Sequence, residues 1–192
     1  MSQEDQGLGD GVRTDLSPRS ERAGQRRGLD ERLLVRFPAV YPRVGRFWTR
    51  LSPRSRLRRV MLARGVPRTC AALNRRDFAA FLVGIHPRVE FRGARDVLGP
   101  DQTEVAFGHE GVLEFLAAWF EAIEDLRYEP EEVLDFGDKF LITVQMSGHG
   151  SGSGVTVSRQ FFVLSHVRDG WVVKQENFLN RSQALEAAGL RE

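Results

Sequence analysis

Apolar residues recur at helical spacing between Gly108 and Ile123 (GHEGVLEFLAAWFEAI). Val112, Phe115, Leu116, Trp119 and Ile123 form one stripe, and Glu110, Glu114 and Glu121 fall mostly off it. The spacing predicts an amphipathic helix that begins at Gly108, with Glu110 at the positive end of its dipole. From Leu126 to Leu179 the chain reads as strands. A one-sided helix followed by a run of strands predicts a sheet wrapped against that helix.

The strands are bounded by turn residues. Leu126 to Phe136 is a strand whose internal Pro130 implies an edge or a bulge. Gly137-Asp138 is a hairpin turn, after which Phe140, Ile142, Val144 and Met146 point to one face. Gly148 to Gly154 (GHGSGSG) is a bend between strands. No helix follows it and the Gly-Lys-Ser/Thr ending is missing, so it is not a phosphate loop. Val155 to Val167 and Trp171 to Leu179 are the last two strands, joined by a turn at Arg168-Asp169-Gly170, and Ser182 to Ala188 is a closing helix. Upstream, Ser52 and Pro53 suit the first positions of a helix that Gly65 and Pro67 are expected to interrupt, with a second piece from Arg68 to Leu73. Asn74 closes that piece and Asp77 caps the next helix, FAAFLVGI. Arg88 to Arg92 alternates as a first strand, and Gly93 to Phe107 is a long polar loop of the kind that rims pockets.

The N-terminal part differs in composition. Residues 1–29 are polar and Gly-rich, and are expected to be a disordered tail. Residues 30–54 form a basic amphipathic extension in which Arg32, Arg36, Arg43, Arg46 and Arg50 interleave with Leu33, Leu34, Phe37, Val40, Tyr41, Val44, Phe47, Trp48 and Leu51. Pro38 and Pro42 split it into two short helices. Such a stripe can lie on a membrane, but its aromatics need a partner, which favours packing on protein. The net charge of +2 conceals an asymmetry. Residues 1–68 hold 16 Arg or Lys against 7 Asp or Glu, and the remainder holds 12 against 19. The charge is dispersed and residues 1–29 lack interleaved aromatics, so nucleic acid is an unfavoured partner. The single cysteine, Cys70, excludes an internal disulfide. With no apolar signal core and no spanning stretch, the cytoplasm is the expected location.

Three stretches together resemble a SnoaL-like domain of the nuclear transport factor 2-like superfamily, in a bacterial form with an N-terminal extension: AALNRRDFAAFL with HPRVEFR; FGHEGVLEFLAAWFEAIEDLRYEPEEVLDFGDKFLITV; and HVRDGWVVKQENFLNRSQALEAAGL. The resemblance covers roughly residues 55 to 190 and assigns the cone domain to 55–192. It implies an α+β fold, a cone-shaped curved antiparallel sheet wrapped on N-terminal helices with a pocket inside. Family members include polyketide cyclases, ketosteroid isomerase and limonene epoxide hydrolase. The implied function is binding of a hydrophobic small molecule, with isomerase, cyclase or hydrolase chemistry on a cyclic ligand as one outcome. A non-catalytic dimeric interaction module with a filled cone is the alternative. A homodimer through the sheet is the implied assembly, and no cofactor is implied.

The resemblance places the isomerase's two working acids at Phe91, which follows Val89-Glu90, and at Phe162, counted back from Gly170. Phenylalanine transfers no proton, so isomerase chemistry of that type is disfavoured. The expected pocket residues are Phe91, Trp119, Met146, Gln160, Phe162, Gln175 and Asn177, which supply an aromatic surface with neutral hydrogen-bonding groups. His166, His109 and Tyr128 are the side chains left as candidates for proton transfer. No Cys/His/Asp cluster has metal-ligand spacing.

Overall fold

The computed structural model describes residues 11–16, 27–37, 40–93 and 105–190. Seven strands form one open sheet in the order β1-β4-β5-β6-β7-β2-β3. They are β1 (Val12–Asp15), β2 (Ile85–Arg92), β3 (Val105–Phe107), β4 (Ile123–Asp135), β5 (Lys139–Gly150), β6 (Thr156–Arg168) and β7 (Trp171–Phe178). All neighbours are antiparallel except β2 and β7. The helices are α1 (Leu29–Arg36), α2 (Tyr41–Thr49), α3 (Arg56–Asn74), α4 (Phe78–Phe81), α5 (Gly108–Ala122) and α6 (Arg181–Ala187). This is the expected α+β cone.

The organising helix forms as its stripe predicts. Val112, Leu116 and Trp119 of α5 are buried, and Ile123 passes directly into β4. Asp77 caps α4 by accepting from the Ala80 amide. Pro130 sits next to a register shift between Pro130 and Glu132, a bulge that frees the strand from needing its amide.

Among the departures from expectation, three concern α3, β2 and the N-terminal tail. Helix α3 runs unbroken for 19 residues with Pro67 inside it, and it starts after Ser55 rather than Ser52. Proline removes one backbone donor, but tertiary contacts hold the helix at both ends. Arg58 pairs with Asp135, and Asn74 exchanges two hydrogen bonds with the backbone of Tyr128, at 3.0 and 2.8 Å. Leu62 and Val66, between those anchors, are buried. The first strand begins at Ile85, ahead of Arg88, because its parallel partner β7 pairs with Ile85 through Val172.

The third departure lies in the expected tail. Val12–Asp15 pairs with Asp135–Glu132 as an edge strand, and Leu16 is buried against Leu62, Val66 and Val133. A short polar strand of this kind is stabilised by the edge it completes and not by its own composition. Residues 1–10 and 17–26 of the tail, and 94–104 of the expected long loop, lie outside the described residues.

The sheet carries a core on each side. Its concave face, with α3, α4 and α5, encloses Phe81, Val89, Phe91, Leu116 and Met146. On the outer face α6 covers Leu134, Leu141, Phe162 and Leu164.

Candidate functional site

The concave face does not fill its space. A cavity of about 750 Å³ lies between the sheet and α1, α2, α3 and α5. Strand alternation supplies one wall: Phe140, Ile142, Val144 and Met146 of β5 all face it, as their period-two spacing predicts. Phe91 of β2 closes the opposite side, its ring 4.9 Å from that of Phe115, which lies 6.4 Å from Trp119. Tyr128 of β4 stands edge-on to Phe161 at 5.9 Å.

Phe91, Trp119, Met146, Gln175 and Asn177 thus line the cavity, as does Tyr128. The Asn177 amide donates to the Arg92 carbonyl at 2.9 Å. Gln160, Phe162 and His166 do not join them. Phe162 is buried on the outer face against Leu134, Leu141 and Leu164. Gln160 bonds Glu131 at an outer groove of about 400 Å³ that also contains Arg13, Glu132 and Arg181. His166 bonds Glu176 at 3.1 Å, and Lys174 reaches the same carboxylate oxygen at 2.9 Å. Burial pushes the Glu176 carboxyl up, but hydrogen bonds and charge from Lys174 and His166 outweigh it and hold the group below the ordinary carboxylate range. His109 is spent locally, its Nε2 donating to the Ile85 carbonyl at 2.8 Å to tie the start of α5 to β2.

The misplacement of Gln160, Phe162 and His166 has one cause. The β6–β7 register shifts between His166 and Val167. The extra residue is Val173 of β7, since Val172 pairs with Val167 and Lys174 with His166, so β6 alternates without a break and its even-numbered residues, the ones expected in the cavity, take the outer face. Arg159, Phe161, Val163 and Ser165 are the β6 residues that face the cavity. The β5–β6 register carries the same information, because Phe161 pairs with Val144 and Val163 with Ile142. Cys70 on α3 also lines the cavity and was not anticipated.

Among the described residues the charged members of the lining are three arginines, Arg64, Arg68 and Arg159, and one glutamate. Glu31 on α1 is the one acidic lining residue among those described, and it is engaged by the Gly28 amide at 2.7 Å and Arg75 at 3.2 Å. Burial pushes the Cys70 thiol up to about 12. Burial also raises Tyr128, with Cys70 adding to the shift and Arg76 opposing it, so its phenol keeps its proton at neutral pH. Among the described residues no three His, Cys, Asp or Glu side chains are grouped to hold a metal ion.

The chain belongs to the SnoaL-like domain family, whose pattern matches residues 66–175, and through it to the nuclear transport factor 2-like superfamily. It is similar to TerC, crystallised with polyporic acid, at 25% identity and a TM-score of 0.53 over 66% of this chain and 94% of that one. An NTF2-like protein of unknown function from Burkholderia pseudomallei K96243 shares 20% identity, with a TM-score of 0.54 over 64% of this chain and 92% of its own. A protein of ketosteroid isomerase-like fold from Catenulispora acidiphila DSM 44928, in complex with trimethylamine, shares 16% identity, with a TM-score of 0.52 over 67% and 94%. No curated protein matches the chain.

Proposed function

We propose that the protein binds a small hydrophobic ring compound inside the cone, holding it between the aromatic wall of Phe91, Phe115 and Trp119 and the edge formed by Phe161 and Tyr128. The observation that carries this reading is an unfilled space of about 750 Å³ bounded mostly by apolar side chains, with Glu31, Arg64, Arg68 and Arg159 as its charged members, a size and lining suited to a ligand of that class. The co-crystal of the similar TerC with polyporic acid supports the same ligand class. Tyr128 and Gln175 are the polar contacts. A phenol that keeps its proton donates to a ligand carbonyl or hydroxyl and does not abstract a proton. The cavity therefore selects by shape and hydrogen bonding. Among the described residues the one lining carboxylate, Glu31, is already bonded to Gly28 and Arg75, so any reaction promoted there proceeds by positioning the ligand and polarising its oxygen.

Trp119 and Trp48 both line the cavity, so intrinsic fluorescence reports occupancy. Titration with a panel of apolar ring compounds is expected to find saturable quenching. Tyr128→Phe should weaken binding of oxygen-bearing members by about tenfold, the worth of one hydrogen bond, and leave pure hydrocarbons unaffected. Absence of any saturable ligand would overturn the reading in favour of an interaction module.

A further inference from the structure

The docked extension leaves a surface that its own fold does not cover. Eight of the ten large hydrophobic side chains exposed among the described residues lie between Leu29 and Val60. Helix α2 is anchored by its inner face: Gly45 abuts Gly170, and the Tyr41 ring lies 5.3 Å from Trp171. Its outer face presents Phe47, 55% exposed, beside exposed Arg46 and Arg50. Helix α1 repeats the arrangement. Leu29, Leu33 and Phe37 follow one another at four-residue spacing and are all exposed, and Arg32 and Arg36 occupy the adjacent stripe. Leu33, Val40 and Val44 are both exposed and part of the cavity lining, so the same two helices make the rim of its mouth.

We propose that this face docks on an anionic lipid bilayer and turns the mouth of the cone toward the membrane. Charge selects that occupant. Among the described residues the exposed side chains between the apolar ones are arginines, and Glu31, which points back into the fold, is already bonded to Gly28 and Arg75. A second copy seated on the same face by two-fold symmetry would set arginine against arginine. Headgroups of anionic lipid supply the complementary charge, while Leu29, Leu33, Phe37 and Phe47 enter the boundary of headgroup and acyl chain as an interfacial helix does. An apolar rim in water is costly; against a bilayer it lets a hydrophobic molecule enter the cavity without crossing water. Docking itself does not depend on the cavity being a ligand site.

The test is co-sedimentation of the full chain with phosphatidylcholine vesicles and with vesicles of phosphatidylcholine mixed with phosphatidylglycerol. Binding is expected with the mixed vesicles only, and it should weaken as salt is raised. Arg46→Glu with Arg50→Glu should reduce partition at least about 25-fold, at about fivefold per arginine. Phe37→Ser with Phe47→Ser should also release the protein. None of these four residues lines the cavity, so binding of ring compounds in solution should stay unchanged, which separates failure of docking from failure of the ligand reading. The melting temperature confirms folding of each variant. No sedimentation with anionic vesicles, or sedimentation that the charge reversal leaves intact, would overturn the proposal. So would a dimer that Phe37→Ser with Phe47→Ser dissociates while vesicles are ignored.

Discussion

The Arg58 guanidinium forks onto the Asp135 carboxylate, Nε to Oδ2 at 2.6 Å and a terminal nitrogen to Oδ1 at 2.7 Å, with the two side chains 0% and 1% exposed. The remaining guanidinium donors reach the carbonyls of Thr49, Leu51 and Gly137, and its central carbon lies 5.0 Å from the centroid of the Trp48 ring. Asp135 also accepts from the Gly137 amide at 3.0 Å. One arginine thus ties α3, the end of α2 and the β4–β5 turn into one unit.

Removing either partner strands a buried charge. Arg58→Met and Asp135→Leu, each alone, are expected to cost about 3–5 kcal/mol in denaturant unfolding. In many proteins replacing both members with apolar residues restores stability. Here the double variant should not recover, because the carbonyls of Thr49, Leu51 and Gly137 would lose their donor. A double variant as stable as the parent would show that the backbone contacts contribute little.

Phe161 and Phe162 are neighbours with opposite duties. Phe162→Ala empties a site in the outer core and should cost about 3–5 kcal/mol, with the affinity for ring compounds retained. Phe161→Ala widens the cavity wall, so it should cost clearly less stability and change which compounds bind. The reverse pattern in paired denaturation and fluorescence titrations would contradict the β6 parity.

Gly45 and Gly170 bring two backbones together. A Cβ at Gly45 would sit 2.6 Å from the Gly170 carbonyl oxygen, and Gly170 itself has φ +85°. Backbone cannot yield as a side-chain tip does, so Gly45→Ala should cost about 1–3 kcal/mol. Amide exchange should accelerate in α2 and stay unchanged in α5. Unaltered protection of α2 would mean the contact is not needed for docking.

Acid should loosen the joint between residue 27 and α4. Hydrogen bonding to Arg27 holds the Asp77 carboxyl below its ordinary 3.8, with the Ala80 amide, Arg27 and Arg75 charges adding and burial opposing. A depressed carboxylate pKa contributes stability that is complete above about 3.8 and is lost as pH falls through the lower folded-state value. Arg27 is 38% exposed, so salt screens the pair and the effect is small. Asp77→Asn keeps the helix cap but removes the charge, and it should flatten the acid limb of a stability–pH curve below 3.8. An unchanged acid limb would assign that limb to other carboxylates.

The features legible in the chain are those set by local periodicity. The stripe of α5, the β5 face from Phe140 to Met146 and the Asp77 cap follow from side-chain spacing, which the backbone geometry of a helix or strand converts directly into a face. The SnoaL-like resemblance rests on the order of these elements, and with it Phe91, Trp119, Met146, Gln175 and Asn177 could be placed on the cavity. Other features depend on partners distant in sequence. Phe161 and not Phe162 faces the cavity because β6 pairs with β5 so that Phe161 meets Val144, and strand register is settled between strands and not within one. Pro67 stays inside α3 because Arg58 and Asn74 clamp the helix to β4, and Val12–Asp15 becomes a strand because β4 offers it an edge. Arg58 stands as one more arginine in a basic stretch until the fold sets Asp135, 77 positions away, against it. Composition allows either a filled or a hollow cone. Only the tertiary arrangement of α1, α2, α3 and α5 leaves the space open, since that volume is the difference between where the backbones lie and what their side chains fill.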